Sequence, residues 1–134
     1  VYRAYEEEFE KIIESFPNDE EFTVLFTGGL DSTIILDAAI KLGKKVRAVT
    51  AVQEVLKKDD EFAIEYCRKL GIPHDVIKLP TENPFESYSA AIRDMEDADS
   101  VLAGLSITLR AISKEAKAKG LDALVTGSYI EPIL

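Results

Sequence analysis

Cysteine and histidine are almost missing from this sequence: Cys67 is the only cysteine and His74 the only histidine. One cysteine cannot close a disulfide within the chain, and a metal cage built of cysteines alone is excluded. Cys67 lies among Ala63, Ile64 and Leu70 on a predicted helix, so it is expected as a packed thiol rather than a reactive one. His74 opens a predicted strand after Gly71-Ile72-Pro73 and reads as a strand-edge polar residue rather than a general base. Long apolar runs are lacking too, and none reaches the ~20 residues needed to cross a bilayer. The opening residues are charged and amphipathic, unlike a signal peptide. A cytoplasmic protein with no membrane partner is therefore expected.

Positive charge is also scarce. Lys and Arg number 16 against 25 Asp and Glu, for a net charge of −9. Such a surface repels a nucleic-acid backbone unless a basic patch forms locally. Lys41, Lys44, Lys45 and Arg47 make the one short basic cluster. It follows a predicted helix end, where cations offset the helix dipole, so no nucleic-acid partner is expected. What is present suffices for a core. Hydrophobic residues make up 46% of the chain, and residues 1–134 fit one domain of ordinary size.

Helix and strand patterns alternate along the chain. Tyr5, Phe9, Ile12, Ile13 and Phe16 recur at helical spacing over 3–16, opposite Glu6, Glu7, Glu8, Glu10 and Glu14. Residues 22–26 form a short buried strand, and a helix runs from Asp31 to about Leu42 before Gly43. A second strand (46–52), a helix (59–70) and a third strand (74–79) follow. After a loop at 80–84 come helices over 85–95 and 101–119, with an acidic break between them. A fourth strand is expected over 121–126. This alternation gives a parallel sheet covered by helices on both faces, with right-handed crossovers. In such sheets ligands bind beyond the carboxyl ends of the strands, where strand order reverses. That points to loops 27–32, 52–58, 80–84 and 127–133.

Of these, the loop Thr27-Gly28-Gly29-Leu30-Asp31-Ser32-Thr33 carries chemistry. Adjacent glycines let the backbone turn with its N–H groups aimed at one point. The next helix begins at once, so its unpaired N–H groups and positive dipole end face the same point. Thr27, Ser32 and Thr33 add hydroxyls, completing an anion cradle suited to pyrophosphate. Asp31 is out of place in a site that binds only anions, unless it holds a magnesium ion bridging bound phosphates. The plainer alternative is that Asp31 or Ser32 caps the helix and the glycines form a tight turn. The loop has no Gly-Lys-Ser/Thr ending and no dinucleotide spacing of three glycines, so neither of those phosphate motifs applies.

The segment Leu25-Phe26-Thr27-Gly28-Gly29-Leu30-Asp31-Ser32-Thr33 resembles the Ser-Gly-Gly-x-Asp-Ser signature of the PP-loop ATP pyrophosphatases, and within them the synthetase domain of asparagine synthetases. Asp59-Asp60-Glu61-Phe62-Ala63 and Leu70-Gly71-Ile72-Pro73-His74 are similar to that family's second helix and third strand. Lys117 to Gly127 resembles the approach to its second signature loop. The resemblance implies a Rossmann-like, adenine nucleotide alpha hydrolase-like fold: a three-layer α/β/α domain with a parallel sheet. It implies ATP as ligand, leaving as AMP and pyrophosphate, with Mg2+. Thr27, Gly28, Gly29, Asp31, Ser32 and Thr33 would surround the phosphates, with Asp31 and Ser32 the catalytic pair. Leu25 and Val52 would flank the adenine through their backbone, and Thr126 and Gly127 would line the ribose and α-phosphate. Asp31 and Glu131 would be the metal ligands. Thr27 stands where the family has serine, and Gly127-Ser128-Tyr129-Ile130-Glu131-Pro132 departs from its second signature. A shortened relative is therefore expected.

The reading that follows is an ATP-dependent adenylating ligase or amidotransferase acting on an unidentified small molecule, a carboxylate or amide. Two others stay open: a non-catalytic ATP- or AMP-binding module, and a tRNA-modifying enzyme of the sulfurtransferase type. A homodimer is also left open. Arg110 and Lys114, one helical turn apart, read as a solvated face. Glu96, Asp97 and Asp99 read as an acidic loop before a helix rather than a metal cluster. Tyr129 is read evenly as packing or as a lid on the base.

Overall fold

In a computed structural model, residues 2–52, 58–79, 83–96, 99–121 and 123–127 are described. They form α1 (Tyr2–Glu14), β1 (Phe22–Leu25), α2 (Leu30–Lys41), β2 (Val46–Val52), α3 (Lys58–Leu70), β3 (His74–Lys78), α4 (Pro84–Met95) and α5 (Ser100–Ala118). The strands are parallel in the order β1-β2-β3, with Phe22 opposite Val46 and Ala48 opposite His74. Among the described residues the expected fourth strand contributes a single parallel bridge, Val24 to Val125, on the other edge of β1. Leu25 N–H donates to the Val125 carbonyl and Val125 N–H to the Thr23 carbonyl, each at 2.8 Å. The chain thus leaves β1 toward β2 on one side and returns on the other, and strand order reverses at β1.

Side chains alternate across the sheet, so each strand feeds two cores. On one face Val24, Phe26, Val46 and Ala48 pack against Ile13 of α1, Ile35, Leu36 and Ala39 of α2, and Ala63 and Cys67 of α3. On the other, Leu25, Val49 and Ile77 meet Ile112 and Ala116 of α5. Helix α4 packs along α5, where Ala91 and Ala103 are fully buried. Small residues at both positions let those helices approach closely. The result is the three-layer α/β/α arrangement. Among the described residues no helix is long and apolar enough to cross a membrane.

Two sequence expectations change in the packed molecule. Among the described side chains of α1, Phe9 and Ile13, one turn apart, face the core, while Ile12 is 60% exposed. Residue 12 lies about 100° around the helix from residue 13, turned away from that core. Phe16 is released from the helix and meets Phe22 edge-on, with ring centroids 4.9 Å apart. The basic cluster, in turn, is not a simple answer to the dipole of α2. Lys41 pairs with Glu10, Lys45 with Glu21, and Arg47 with both Glu21 and Asp75.

Lys44 has a different task. Its buried ammonium donates to the carbonyls of Glu14 and Phe16 and to Asn18 Oδ1, at 3.2, 2.5 and 2.6 Å. It closes the C-terminus of α1, where carbonyls lack partners and the dipole is negative. Lys44→Met is expected to lower stability by about 2 kcal/mol, the scale of hydrogen bonds to a charged group. Urea unfolding checks this as a lower midpoint with an unchanged slope.

Helix α3 also carries two groups that resist ionisation. Burial pushes the Cys67 thiol up to about 11 from 9.0. A hydrogen bond to Asp37, then burial, pushes Tyr66 up to about 12 from 10.0. Both groups ionise earlier in the unfolded chain, so the stability they contribute is full below about pH 9 and lost as pH rises through their folded values. Unfolding free energy measured from pH 8 to 11 is expected to fall, and to fall less steeply in Cys67→Ala.

Candidate nucleotide site at the end of the first strand

The site begins where β1 stops pairing. Phe26 N–H donates to the Val49 carbonyl at 2.8 Å, and the Phe26 carbonyl accepts from the buried Thr50 hydroxyl at 2.7 Å. Beyond Phe26 the backbone turns at Gly28, with φ 77°, and enters α2 through Gly29. Gly29 is the capping residue, and having no side chain it makes no capping hydrogen bond. Neither Asp31 nor Ser32 caps the helix, while the tight turn at the glycines is present. The first-turn amides of α2 lack intrahelical acceptors and lie at the positive end of the dipole.

The hydroxyls behave differently from the sequence expectation. Buried Ser32 accepts from Thr27 N–H at 3.2 Å and donates to the Gly29 carbonyl at 3.1 Å. Its Oγ also lies 3.1 Å from Thr27 Oγ1. Thr33 donates to the same Gly29 carbonyl at 2.8 Å. These hydroxyls lace the loop together instead of projecting from it, because the bare carbonyl of Gly29 is the nearest strong acceptor. Thr27 N–H and Gly29 N–H also bond within the loop, to Ser32 Oγ and to Thr27 Oγ1 at 3.4 Å, which leaves the first-turn amides of α2 and the carboxylate of Asp31 outside these ties. Asp31 is half-buried, and among the described residues it forms no hydrogen bond or ion pair.

Two other segments close on the loop. A Cβ at Gly28 would stand 2.2 Å from the Asp59 carbonyl oxygen, so the loop lies directly against the first turn of α3. A Cβ at Gly127 would stand 3.0 Å from Asp31 Cβ and 3.3 Å from Ser32 N. Gly127, with Thr126 before it, therefore lies against the N-terminus of α2. Behind the loop Phe26 packs on Tyr66, with ring centroids 5.7 Å apart, and Tyr66 bonds Asp37 of α2.

Leu25 and Thr126 both border a cavity of about 480 Å³ under α5, with Ile112, Ser113, Leu121 and Leu124. Leu25 N–H is committed to the Val125 carbonyl. Val52 is buried at the end of β2, and its carbonyl accepts from Leu79 N–H at 2.9 Å. A larger cleft of about 800 Å³ lies between α4 and α5 beside Phe85, Arg93, Arg110 and Lys114, and none of the expected nucleotide residues lines it. Arg110, exposed as expected, pairs with Asp94. Glu96 ends α4 in a left-handed conformation, and the Asp99 carbonyl accepts from Ala103 N–H at the start of α5. Among the described residues no cluster of His, Cys, Asp or Glu is arranged to hold a metal. Asp97, Ser128, Tyr129 and Glu131 lie outside the described residues. The sequence reading missed Thr50 and the backbone of Asp59. A threonine inside the apolar run 46–52 was the available signal for the first, while the second contributes only main chain and left none.

Gly28→Ala combines left-handed strain with a clash against fixed backbone, and is expected to cost about 2 kcal/mol or more. Gly127→Ala, with no left-handed φ and no neighbour closer than 3.0 Å, is expected to cost less. Thermal unfolding of both variants checks the order.

A family model, asparagine synthase, matches residues 6–128. The chain is 32% identical over 78 residues to the 7-cyano-7-deazaguanine synthase of Alteromonas mediterranea, covering 58% of this chain and 36% of that protein. It is 30% identical over 121 residues to the Clostridium botulinum protein of the same name, covering 82% and 55%. It is also 29% identical to a tRNA-specific 2-thiouridylase of Sinorhizobium fredii, covering 85% and 33%. The chain thus spans about a third to a half of these curated relatives. Among solved structures, the NH3-dependent NAD synthetase of Campylobacter jejuni superposes with a TM-score of 0.54 at 16% identity, over 90% of this chain and 51% of that one. The NMN synthetase of Francisella tularensis gives 0.55 at 19% identity, over 88% and 52%. These likenesses speak for the fold, and the family match extends through both the phosphate loop and the segment lying over it: the chain belongs to the asparagine synthase family, within the PP-loop ATP pyrophosphatases.

Proposed function

We propose that the chain binds ATP with its β- and γ-phosphates against the 27–33 loop and serves a reaction in which a substrate oxygen attacks the α-phosphate and pyrophosphate leaves. The observation that carries this reading is the convergence at the N-terminus of α2. There an uncapped helix end, the Gly28 turn and the Thr126-Gly127 segment enclose one point. Oriented amides at such a point bind multiply charged anions, and they need not move as charge develops on a leaving group.

Each residue has a task in this scheme. Gly28 and Gly29 bring backbone to the phosphates. Thr27, Ser32 and Thr33 hold the loop in shape from within. Gly127 lets the second segment lie close enough to border the α-phosphate, with Thr126 reaching the cavity beside Leu25. Asp31 offers one carboxylate at the mouth of the cradle. That donor, together with phosphate oxygens, suits Mg2+, which keeps several waters and takes few protein ligands. Glu131 is the second residue proposed to hold it. The metal would supply neutralisation of charge on the leaving pyrophosphate. Positioning and electrostatics then carry the rate, as in phosphoryl transfer generally.

The acceptor is proposed as a small molecule bearing a carboxylate or an amide-type carbonyl. Relatives named for a deazaguanine product and for a thiouridine product differ in what they modify. A shared nucleotide-activating step is the simplest property for this chain to hold in common with them. Pyrophosphate release from ATP and Mg2+ is the test, run across carboxylates, amides and base carbonyls. Release that depends on one acceptor class and drops at least about 100-fold in Asp31→Ala supports adenylation. Tight ATP binding with no release under any acceptor supports the non-catalytic module. No affinity for ATP or pyrophosphate in the folded chain overturns the proposal.

A further inference from the structure

The peptide group joining Phe26 to Thr27 is the hinge between strand and phosphate loop, and side chains grip it at both ends. Its N–H donates to Ser32 Oγ at 3.2 Å, and its carbonyl accepts from Thr50 Oγ1 at 2.7 Å. Ser32 belongs to the loop's own helix. Thr50 does not: it lies in the middle of β2, fully buried, and its hydroxyl reaches the loop at the Phe26 carbonyl. Behind it stands His74 of β3, whose Nε2 is 2.8 Å from Thr50 Oγ1.

The direction of this chain of bonds is fixed by elementary bookkeeping. The Phe26 carbonyl can only accept, so the single hydroxyl proton of Thr50 goes to it. Thr50 Oγ1 is then an acceptor, and His74 must bring a proton on Nε2. Burial lowers the pKa of His74, which keeps the ring neutral near neutral pH. With Nε2 carrying the proton, the chain reads from His74 N–H to Thr50 O–H to the Phe26 carbonyl. Inside a sheet such a chain is shielded from water, and its members polarise one another.

We propose that Thr50, held in one orientation by His74, is a positioning residue for the phosphate loop: it fixes the plane of the Phe26–Thr27 peptide and through it the aim of the anion-binding amides that follow. This rests on the nucleotide reading above. It adds a residue pair from β2 and β3, outside the loop and its helix, on which the loop's geometry depends. Thr50→Val keeps the shape and removes the donor, leaving a buried carbonyl without its bond. Thr50→Ser keeps the donor.

The experiment reads the loop directly and then its ligand. Amide hydrogen exchange at Thr27 and Gly28 in the free protein is expected to speed up about fivefold in Thr50→Val, with Thr50→Ser near the parent, that being the worth of one net hydrogen bond. His74→Leu is expected to shift exchange in the same direction by less. Pyrophosphate affinity by calorimetry is expected to fall about fivefold in Thr50→Val and to recover in Thr50→Ser. Global unfolding free energy is measured alongside, because a merely structural threonine would raise exchange across the whole sheet rather than at the loop. Unchanged exchange at Thr27 and Gly28 in Thr50→Val overturns the proposal, as does equal loss in Thr50→Ser. If the parent protein binds no pyrophosphate, the nucleotide reading fails on its own, while the exchange data still decide whether Thr50 positions the loop.

Discussion

Parallel pairing on both edges of β1 governs the rest of this molecule. A strand with neighbours on each side and helices over both faces has no free direction except along its own axis. Phe22 to Leu25 is buried in full, and its backbone is committed to β2 on one edge and to Val125 on the other. The chain can therefore change direction only past Phe26. Because β2 and Val125 are reached by opposite routes, the loops leaving their ends part company there and open a crevice. The start of α2 lies in that crevice, and its amides are the groups left over once the sheet has been satisfied.

Close approach then turns a crevice into a cradle. Three glycines mark the places where backbone meets backbone or a neighbouring side chain: Gly28 against Asp59, Gly127 against Asp31 and Ser32, and Gly29 at the helix cap. Around them the small hydroxyls of Thr27, Ser32 and Thr33 supply internal ties. The loop's hydroxyls are thus spent on shape, while Leu30 is 71% exposed and Asp31 is outside these ties.

Much of the site was legible in the sequence because glycine, aspartate and serine in close order have few other uses. The run Gly28-Gly29-Leu30-Asp31-Ser32 after a β-branched and aromatic strand indicates a turn and a helix start, and both are found within a residue of the expected place. The strands at 46–52 and 74–78 and the helices over 58–70, 84–95 and 100–118 likewise follow their periodicity. The direction in which a hydroxyl points was not legible. Ser32 and Thr33 look like ligand donors as letters, yet both hydroxyls turn back to the Gly29 carbonyl, which also accepts from Thr33 N–H. Nor could the strand expected at 121–126 be told from the single bridge at Val125, since apolar content signals burial and not the length of a ladder.

The sequence by itself determined the order of helices and strands, the phosphate loop and the family, because these rest on local periodicity and on residues whose backbone freedom or chemistry is distinctive. Only the tertiary structure decided which partners those residues meet. It set Asp59 against Gly28, Gly127 against Asp31, Lys44 beneath the end of α1, and His74 behind Thr50 and the Phe26 carbonyl. Each of those contacts joins positions distant in the chain, and their geometry follows from how sheet and helices pack, which no stretch of neighbouring residues encodes.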